Sequence, residues 1–287
     1  MLTALNGGNA KRRIEMAFKT IKGIGIVGTG NMGSALTQIF SKHYPNIPLY
    51  LADYFNEKAI QLAEQTNAHA CRMEELDKEM FPHVNLIFIA VKPKDLPDLF
   101  KELASCTNID SETRWVSMAV GVSLDQLHSY FSVGQQFIRI MPNTPVAIGQ
   151  GYVSTCFDND ISEEVQEEFI QLMQVTGQVV QLDEKLFDVA SAVAGSGPAF
   201  IFQLIEAMSD AAVYYGMPRS QAIQMSAITV AGAAKMVSDT SQHPAQLKDA
   251  VTSPKGTTIA GIRALEAVAF RSSIIEAIAA TVEKVKE

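Results

Sequence analysis

A glycine-rich turn between a strand pattern and a helix pattern constrains the fold of this chain most. The segment GIGIVGTGNMGSAL (residues 23–36) places Gly28, Gly30 and Gly33 in G-x-G-x-x-G spacing directly after an apolar run. In such a turn the first glycine permits a tight reversal, the second lets the backbone approach a pyrophosphate, and the third lets the helix pack close to the strand. The helix N-terminus then faces the anion. The motif alone is weak, but its place at the start of a strand–helix series predicts a dinucleotide-binding loop rather than a plain turn.

An acidic residue follows at the distance that such a loop requires. Asp53 ends the strand pattern IPLYLAD, near the expected position about 20 residues beyond the glycines. A carboxylate there accepts hydrogen bonds from a ribose 2′-hydroxyl and repels a 2′-phosphate, although Asp is also common in simple turns. No arginine follows directly, which favours NAD. Arg72, in the next loop, could still reach in and accommodate NADP.

The first part of the chain alternates strand and helix patterns, which predicts βαβ units. The segment NLIFIAV shows no polar alternation, as expected for a strand covered on both faces. We therefore predict an N-terminal Rossmann-like domain over residues 21–183, with a doubly wound, mainly parallel sheet. Strands are predicted at 23–28, 47–53, 84–91, 114–120, 136–142, 151–157 and 178–183, and helices at 31–43, 57–66, 95–105, 123–131 and 162–177.

Residues 184–287 have a different character. They carry almost no strand signal and are rich in Ala, Met, Ile and Leu at helical spacing. Helices predicted at 198–216 and 219–239 are apolar on more than one face, so they require burial on several sides. We predict an all-helical C-terminal domain that packs against another subunit. Residues 1–20 are predicted to be an N-terminal extension.

Composition excludes several classes of protein. The 287 residues carry a net charge of −8, so a nucleic acid or an anionic membrane is not an expected partner. The three cysteines lack C-x-x-C spacing, so neither a disulfide framework nor a zinc site is predicted. No uninterrupted apolar run reaches the roughly 18 residues of a membrane span, and no export signal is evident. These features predict a cytoplasmic protein that binds no structural metal.

Four further segments suit ligand binding. AVKPKD (90–95) and RIMPNTPVAIGQG (139–151) follow predicted strands, where open α/β sheets bind ligands. AGSGPAF (194–200) and VTSPKGTTIAGIRALE (251–266) feed small-residue loops into helix N-termini, which are ready anion sites. The alternatives are simple chain reversal for the first pair and helix capping for the second pair.

Taken together and in this order, these motifs resemble the pyrroline-5-carboxylate reductase family. The resemblance runs from GIVGTGNMGSAL through AVKP, MPNTP and GSGPAF to QLKDAVTSPKGTTIAGIRALE. It implies an enzyme that reduces the cyclic imine 1-pyrroline-5-carboxylate to L-proline with NADPH or NADH, in the last step of proline biosynthesis. It also implies a helical domain that interlocks with a second subunit, and homodimers that assemble further to decamers.

The resemblance also assigns roles to residues. Thr258 would be the catalytic residue, because its hydroxyl would hydrogen-bond the ring nitrogen of the substrate. The substrate would contact Glu184, Val251, Ser253, Gly256, Thr257 and Thr258. With the glycine loop and Asp53 included, the expected coenzyme-binding residues are Val27, Gly28, Thr29, Gly30, Asn31, Met32, Gly33, Asp53, Ala90, Val91, Lys92, Pro93, Ala119, Asn143 and Thr144.

Two positions depart from the family pattern. Lys255 replaces a glycine in the usual Ser-Pro-Gly-Gly-Thr; if its φ is positive it costs roughly 1–2 kcal/mol, and otherwise its charge assists carboxylate binding. Asp53 stands where NADPH-using members have a small hydroxyl residue. We therefore expect NAD(P)H dependence with a preference for NADH.

Two alternatives remain open from the residues. The first is another NAD(P)-dependent imine or 3-hydroxyacid reductase, with Lys235 as the acid/base, although a solvated lysine is the simpler interpretation. The second is a non-catalytic dinucleotide-sensing protein, against which the intact SPKGTT segment argues.

Overall fold

A computed structural model describes residues 18–131 and 134–286 of the chain. The chain divides into two compact units, of which the first ends at Gly195 and the second spans Ser196–Val285. The boundary predicted after residue 183 lies earlier in the chain. Most of the predicted N-terminal extension, residues 1–17, lies outside the described residues.

An eight-stranded sheet forms the centre of the first unit. Its order is β3-β2-β1-β4-β5-β6-β7-β8, with β6 and β7 antiparallel and all other neighbours parallel. The strand order reverses between β1 and β4, which opens the ligand-binding crevice at their carboxyl ends. The predicted Rossmann-like fold is confirmed. The strands are β1 (Ile24–Val27), β2 (Leu49–Ala52), β3 (His69–Cys71), β4 (Leu86–Ile89), β5 (Arg114–Ser117), β6 (Gln136–Met141), β7 (Gly151–Phe157) and β8 (Gly177–Gln181).

Helices cover both faces of this sheet. Phe88 on β4 packs in one buried cluster with Phe40, whereas the adjacent Ile87 packs in the other with Trp115, and all four side chains are fully buried. Burial on both faces explains why β4 shows no polar alternation. The helices are α1 (Asn31–His43), α2 (Asn56–Thr66), α3 (Leu76–Glu79), α4 (Leu96–Leu103), α5 (Leu124–Tyr130), α6 (Glu163–Met173) and α7 (Phe187–Ala190).

The second unit is entirely helical, as predicted. A π-helical turn, Ser191–Ser196, leads into it from the first unit. Several large apolar side chains stay exposed in the single chain, among them Phe202, Ile228 and Ile275, each more than 60% exposed. Apolar surface of this extent indicates an interaction surface. The helices are α8 (Gly197–Tyr214), α9 (Arg219–Thr240), α10 (Pro244–Ala250), α11 (Thr257–Ala267) and α12 (Phe270–Lys286).

One helical run among the described residues, Glu184–Tyr214, is long and apolar enough to cross a membrane by length and composition alone. The sequence patterns did not predict it, because charged residues and a glycine turn interrupt its first part. Helices that pack inside soluble proteins meet the same two criteria, so this run is weak evidence for a membrane span.

Candidate active site

The three glycines of the loop after β1 meet three different requirements. Gly28 has a φ of +99°, and a Cβ there would lie 2.8 Å from the carbonyl carbon and oxygen of Ala90. A Cβ at Gly33 would lie 2.0 Å from the Gly28 oxygen, so this glycine lets α1 pack against the turn. At Gly30 a Cβ would meet no atom of the described residues within 4 Å. The bare backbone at Gly30 therefore borders open space, as the approach of a pyrophosphate requires.

The N-terminus of α1 is free to receive an anion. Gly30 is its N-cap residue, and in the part of the chain that the structure describes no side chain caps the first turn, which contains no acidic residue. The N–H groups of Asn31 and Met32 therefore stand at the positive end of an uncapped helix. Val27, which ends β1, is buried beneath the loop.

Asp53 lies beside this loop and has specific partners. Its Oδ2 accepts hydrogen bonds from the Thr29 N–H at 2.6 Å and from the Thr29 hydroxyl at 2.9 Å. Its Oδ1 accepts the Phe55 N–H at 2.9 Å. Because a carboxylate has about four acceptor positions, roughly one remains for a ligand hydroxyl. The crevice thus fits a dinucleotide at the glycine loop, at the helix N-terminus and at this carboxylate.

Acidic side chains surround a cavity near the end of β2. The cavity has a volume of about 720 Å³ and is lined by Tyr54, Phe55, Asp95, Asp98, Lys101 and Glu102. The Tyr54 hydroxyl donates to Glu102 at 3.2 Å. Partial burial, and then the Glu102 carboxylate, raise the pKa of Tyr54. Three carboxylates and one lysine give this cavity a negative balance.

The loop after β4 closes over the glycine turn. Ala90 donates its N–H to the Val27 carbonyl at 2.8 Å and presents its backbone to Gly28. Val91 is partly buried, and Lys92 is the N-cap residue of the 3₁₀ turn Pro93–Asp95. Ala119, which follows β5, is buried.

The Asn143 carboxamide forms hydrogen bonds within the protein. Its Nδ2 donates to the Ala194 carbonyl and its Oδ1 accepts the Tyr152 N–H, both at 3.0 Å. The side chain thereby ties the loop after β6 to the π-helical turn. Thr144 begins the 3₁₀ turn Thr144–Ile148 directly after it.

The predicted substrate loop is a tight turn at the start of α11. The Gly256 N–H donates to the Ser253 carbonyl at 3.0 Å, with Pro254 and Lys255 between them. Lys255 has a φ of +59°. A proline followed by a residue with a positive φ is typical of a type II β-turn. Glycine is favoured at the second of these positions, which explains why the family pattern has a glycine where this chain has Lys255.

This turn leaves particular donors free. The Gly256 N–H already donates to the Ser253 carbonyl within the turn. Thr257 and Thr258 begin α11, whose first turn has no acidic residue and no capping side chain from residues 18–131 or 134–286. Their N–H groups can therefore bind an anion. Val251, two residues before the turn, is 64% exposed.

Glu184 lies in the first unit, whereas Val251 and the turn lie in the second. Its Oε1 accepts hydrogen bonds from Arg139 at 2.9 Å and from the Leu124 N–H at 2.8 Å. Arg139 is a buried residue that the sequence patterns did not single out. A charged residue inside the apolar run QFIRIMP was the one available signal.

Lys235 is a surface residue. Its ammonium pairs with Asp239 at 2.7 Å, and its side chain is 74% exposed. An exposed i, i+4 ion pair is an ordinary feature of a solvated helix. This geometry gives no support to Lys235 as a buried acid/base.

Two family models together match most of the chain. One, described as pyrroline-5-carboxylate reductase dimerisation, matches residues 184–287 and so covers the apolar run Glu184–Tyr214. The other, described as NADP oxidoreductase, coenzyme F420-dependent, matches residues 23–121.

Full-length relatives and solved structures agree with these matches. The pyrroline-5-carboxylate reductase of Escherichia coli (strain K12) is 37% identical over 265 residues, which cover 92% of this chain and 97% of that protein. The Streptococcus pyogenes enzyme structure has a TM-score of 0.82 at 31% identity, covering 92% and 97% of the two chains. The Plasmodium falciparum pyrroline carboxylate reductase, solved with NADP bound, also has a TM-score of 0.82, at 26% identity and 94% and 98% coverage. The chain therefore belongs to the pyrroline-5-carboxylate reductase family.

Proposed function

We propose that this protein reduces 1-pyrroline-5-carboxylate to L-proline, the last step of proline biosynthesis, with NADH as its preferred reductant. The observation that carries the proposal is family membership over nearly the whole chain, combined with an intact Ser-Pro-x-Gly-Thr-Thr turn at the N-terminus of α11. The reaction is that of an oxidoreductase acting on a C=N bond.

The substrate carboxylate suits the start of α11. Ser253 supplies a hydroxyl, and Thr257 and Thr258 supply N–H groups at the positive end of the helix. Neither threonine hydroxyl has a protein partner within residues 18–131 and 134–286. The Thr258 hydroxyl is therefore available to hydrogen-bond the ring nitrogen, as the family resemblance implies.

The chain's own residues bind and orient the reactants in this proposal. Bound reduced nicotinamide supplies the hydride, so no nucleophile or general-base triad is required. Thr258 holds the imine nitrogen, and the α11 N-terminus favours the negative carboxylate. A protonated imine is electrophilic at carbon, and these contacts fix that carbon in one orientation.

The preference for NADH rests on charge. Asp53 retains about one acceptor position, which suits a ribose hydroxyl and opposes a 2′-phosphate. The acidic cavity next to Tyr54 and Phe55 adds negative charge at the same end of the crevice. Arg72 argues in the opposite direction, because Ala52 pairs with Cys71, so Asp53 and Arg72 each follow the end of one of the neighbouring strands β2 and β3.

Assembly and location complete the proposal. Exposed apolar residues on α8, α9 and α12, together with the dimerisation family match, support a homodimer formed through the second unit. We propose further assembly of dimers to a decamer, and a cytoplasmic location.

One assay tests the activity and the coenzyme together. Oxidation of NADH and of NADPH is followed with pyrroline-5-carboxylate, with a 3-keto acid as the control substrate. We expect turnover of pyrroline-5-carboxylate alone, with kcat/KM at least about tenfold higher for NADH than for NADPH, the ratio that about 1.4 kcal/mol produces. Turnover of the keto acid alone would contradict the proposed reaction and favour a 3-hydroxyacid reductase. Dinucleotide binding without any turnover would favour a sensing role.

A further inference from the structure

Asp53 holds the glycine loop as well as lying at the ribose end of the crevice. Oδ2 accepts hydrogen bonds from both donors of Thr29, the N–H at 2.6 Å and the hydroxyl at 2.9 Å. Oδ1 accepts a hydrogen bond from the Phe55 N–H at 2.9 Å and thereby holds the turn that follows β2. One carboxylate therefore connects two loops at the carboxyl ends of β1 and β2.

Thr29 is the only residue between Gly28 and Gly30, and every polar group it has is engaged. Its N–H and its hydroxyl donate hydrogen bonds to Asp53, and its carbonyl accepts one from the Ser34 hydroxyl at 2.8 Å. The side chain is buried, with 5% of the residue exposed. Glycine on either side contributes no side-chain contact and is conformationally permissive. The order of the loop therefore depends on the polar contacts of Thr29.

We propose that Asp53, in addition to the discrimination against a 2′-phosphate already included in the proposed function, is through Thr29 the positioning residue of the pyrophosphate loop. The two roles use different properties of the side chain. Its negative charge opposes a 2′-phosphate, whereas its Oδ2 acceptor holds Thr29. The inference rests on the proposed function only in requiring that the crevice bind a dinucleotide.

The two roles separate in different substitutions of Asp53. Asp53→Asn keeps one oxygen that can accept from Thr29 and removes the charge, with its NH2 group then facing the Phe55 N–H, whereas Asp53→Ala removes the charge and every acceptor. Dissociation constants of NADH and NADPH are measured by fluorescence titration of the whole protein, without substrate. We expect Asp53→Ala to weaken both coenzymes by about tenfold or more, the effect of losing hydrogen bonds to a charged group. Asp53→Asn should instead tighten NADPH and weaken NADH less than Asp53→Ala does.

Glu57→Gln is the matched control. Glu57 is exposed near the start of α2, and the variant removes one negative charge close to the same turn without touching Thr29. Both dissociation constants should stay within about twofold of the parent values, as expected for an exposed charge. If Asp53→Ala tightens NADPH as much as Asp53→Asn does, the carboxylate acts by charge alone and the proposal is wrong.

Variants of Thr29 provide an independent arm in case Asp53→Ala does not fold. Thr29→Val removes the hydroxyl donor and should weaken NADH and NADPH equally, by about threefold or more, leaving their ratio unchanged. Thr29→Ser restores the donor and should restore both affinities. Unchanged affinities in Thr29→Val would overturn the positioning role. Because these titrations contain no imine, failure of the proposed reaction leaves them interpretable.

Discussion

Arg139 on β6 and Glu184 after β8 form a 2.9 Å ion pair inside the first unit. The Arg139 side chain is 7% exposed, and its guanidinium lies 4.7 Å from the centre of the Phe187 ring. Glu184 is its one ion-pair partner in the described part of the chain. A buried guanidinium without a counter-charge is costly, so this contact gives Glu184 a structural role.

Glu184→Ala should therefore destabilise the protein more than it affects substrate binding. We expect the free energy of unfolding to fall by about 3 kcal/mol, because the substitution leaves a buried charge unpaired. Chemical denaturation measures this loss, and steady-state kinetics measure KM for pyrroline-5-carboxylate. Glu112→Ala, at an exposed loop position, is the control and should change stability little. A large increase in KM with unchanged stability would instead support the substrate contact that the family resemblance implies.

Asn143→Asp should loosen the connection between the loop after β6 and the π-helical turn. The substitution keeps an acceptor for Tyr152 but places a carboxylate oxygen against the Ala194 carbonyl in place of the Nδ2 donor. We expect a loss of about 2 kcal/mol in the free energy of unfolding, the cost of a broken buried hydrogen bond. We also expect kcat to fall more than the affinity for NADH does. Equal stability of the variant and the parent protein would contradict this account.

The sequence predicts the sheet well where strands are buried on both faces and continuously apolar, as β4 is. It missed β3 because three residues, one of them the exposed His69, are too few to form a recognisable period. The separate requirements at Gly28, Gly30 and Gly33 could be anticipated because they follow from local backbone geometry.

Contacts between distant segments could not be anticipated. The Thr29–Asp53 bonds depend on the register of β1 with β2, and the Arg139–Glu184 pair joins residues 45 positions apart. The use of the Gly256 N–H within its own turn was also missed, because it requires the conformation of Lys255.

Stability should depend on pH through Glu168 on α6. Its carboxylate accepts the Lys19 and Thr20 N–H groups and the Thr20 hydroxyl, at 2.6–2.8 Å. Burial opposes ionisation, but these hydrogen bonds outweigh it and lower the pKa of Glu168 below its ordinary 4.5. The stabilisation is therefore complete above the unfolded-state pKa and is lost as the pH falls through the folded-state pKa.

Glu168→Gln tests this dependence. The variant should be less stable than the parent protein near neutral pH, and the difference should shrink as the pH falls through the lowered folded-state pKa of Glu168, where the parent carboxyl becomes protonated. Thermal unfolding across this range measures the difference. Glu167→Gln, an exposed neighbour, should show no such trend. A constant difference across the range would contradict a role for the ionised carboxylate.

Thr258→Ala should reduce catalysis without changing coenzyme binding. Loss of a hydroxyl hydrogen bond to a charged imine predicts a kcat/KM for pyrroline-5-carboxylate that is about 10–100-fold lower. NADH affinity should be unchanged, because Thr258 is expected to contact the substrate and is not among the predicted coenzyme-binding residues. Thr258→Ser, which keeps the hydroxyl, should recover most of the activity. Unchanged turnover in Thr258→Ala would remove Thr258 from the proposed mechanism.

Lys255→Gly should make the protein more stable and bind substrate less well. Lys255 has a φ of +59° in a turn that favours glycine, and relief of this strain is expected to raise the free energy of unfolding by about 1 kcal/mol. Removal of the positive charge beside the α11 N-terminus should raise KM for pyrroline-5-carboxylate.

Ala269→Gly is the matched control, because Ala269 has a φ of +58° just beyond the other end of α11 and carries no charge. It should give a similar gain in stability with KM unchanged. If KM stays constant in both variants, Lys255 contributes only strain, and the carboxylate depends on Ser253 and the helix N-terminus alone.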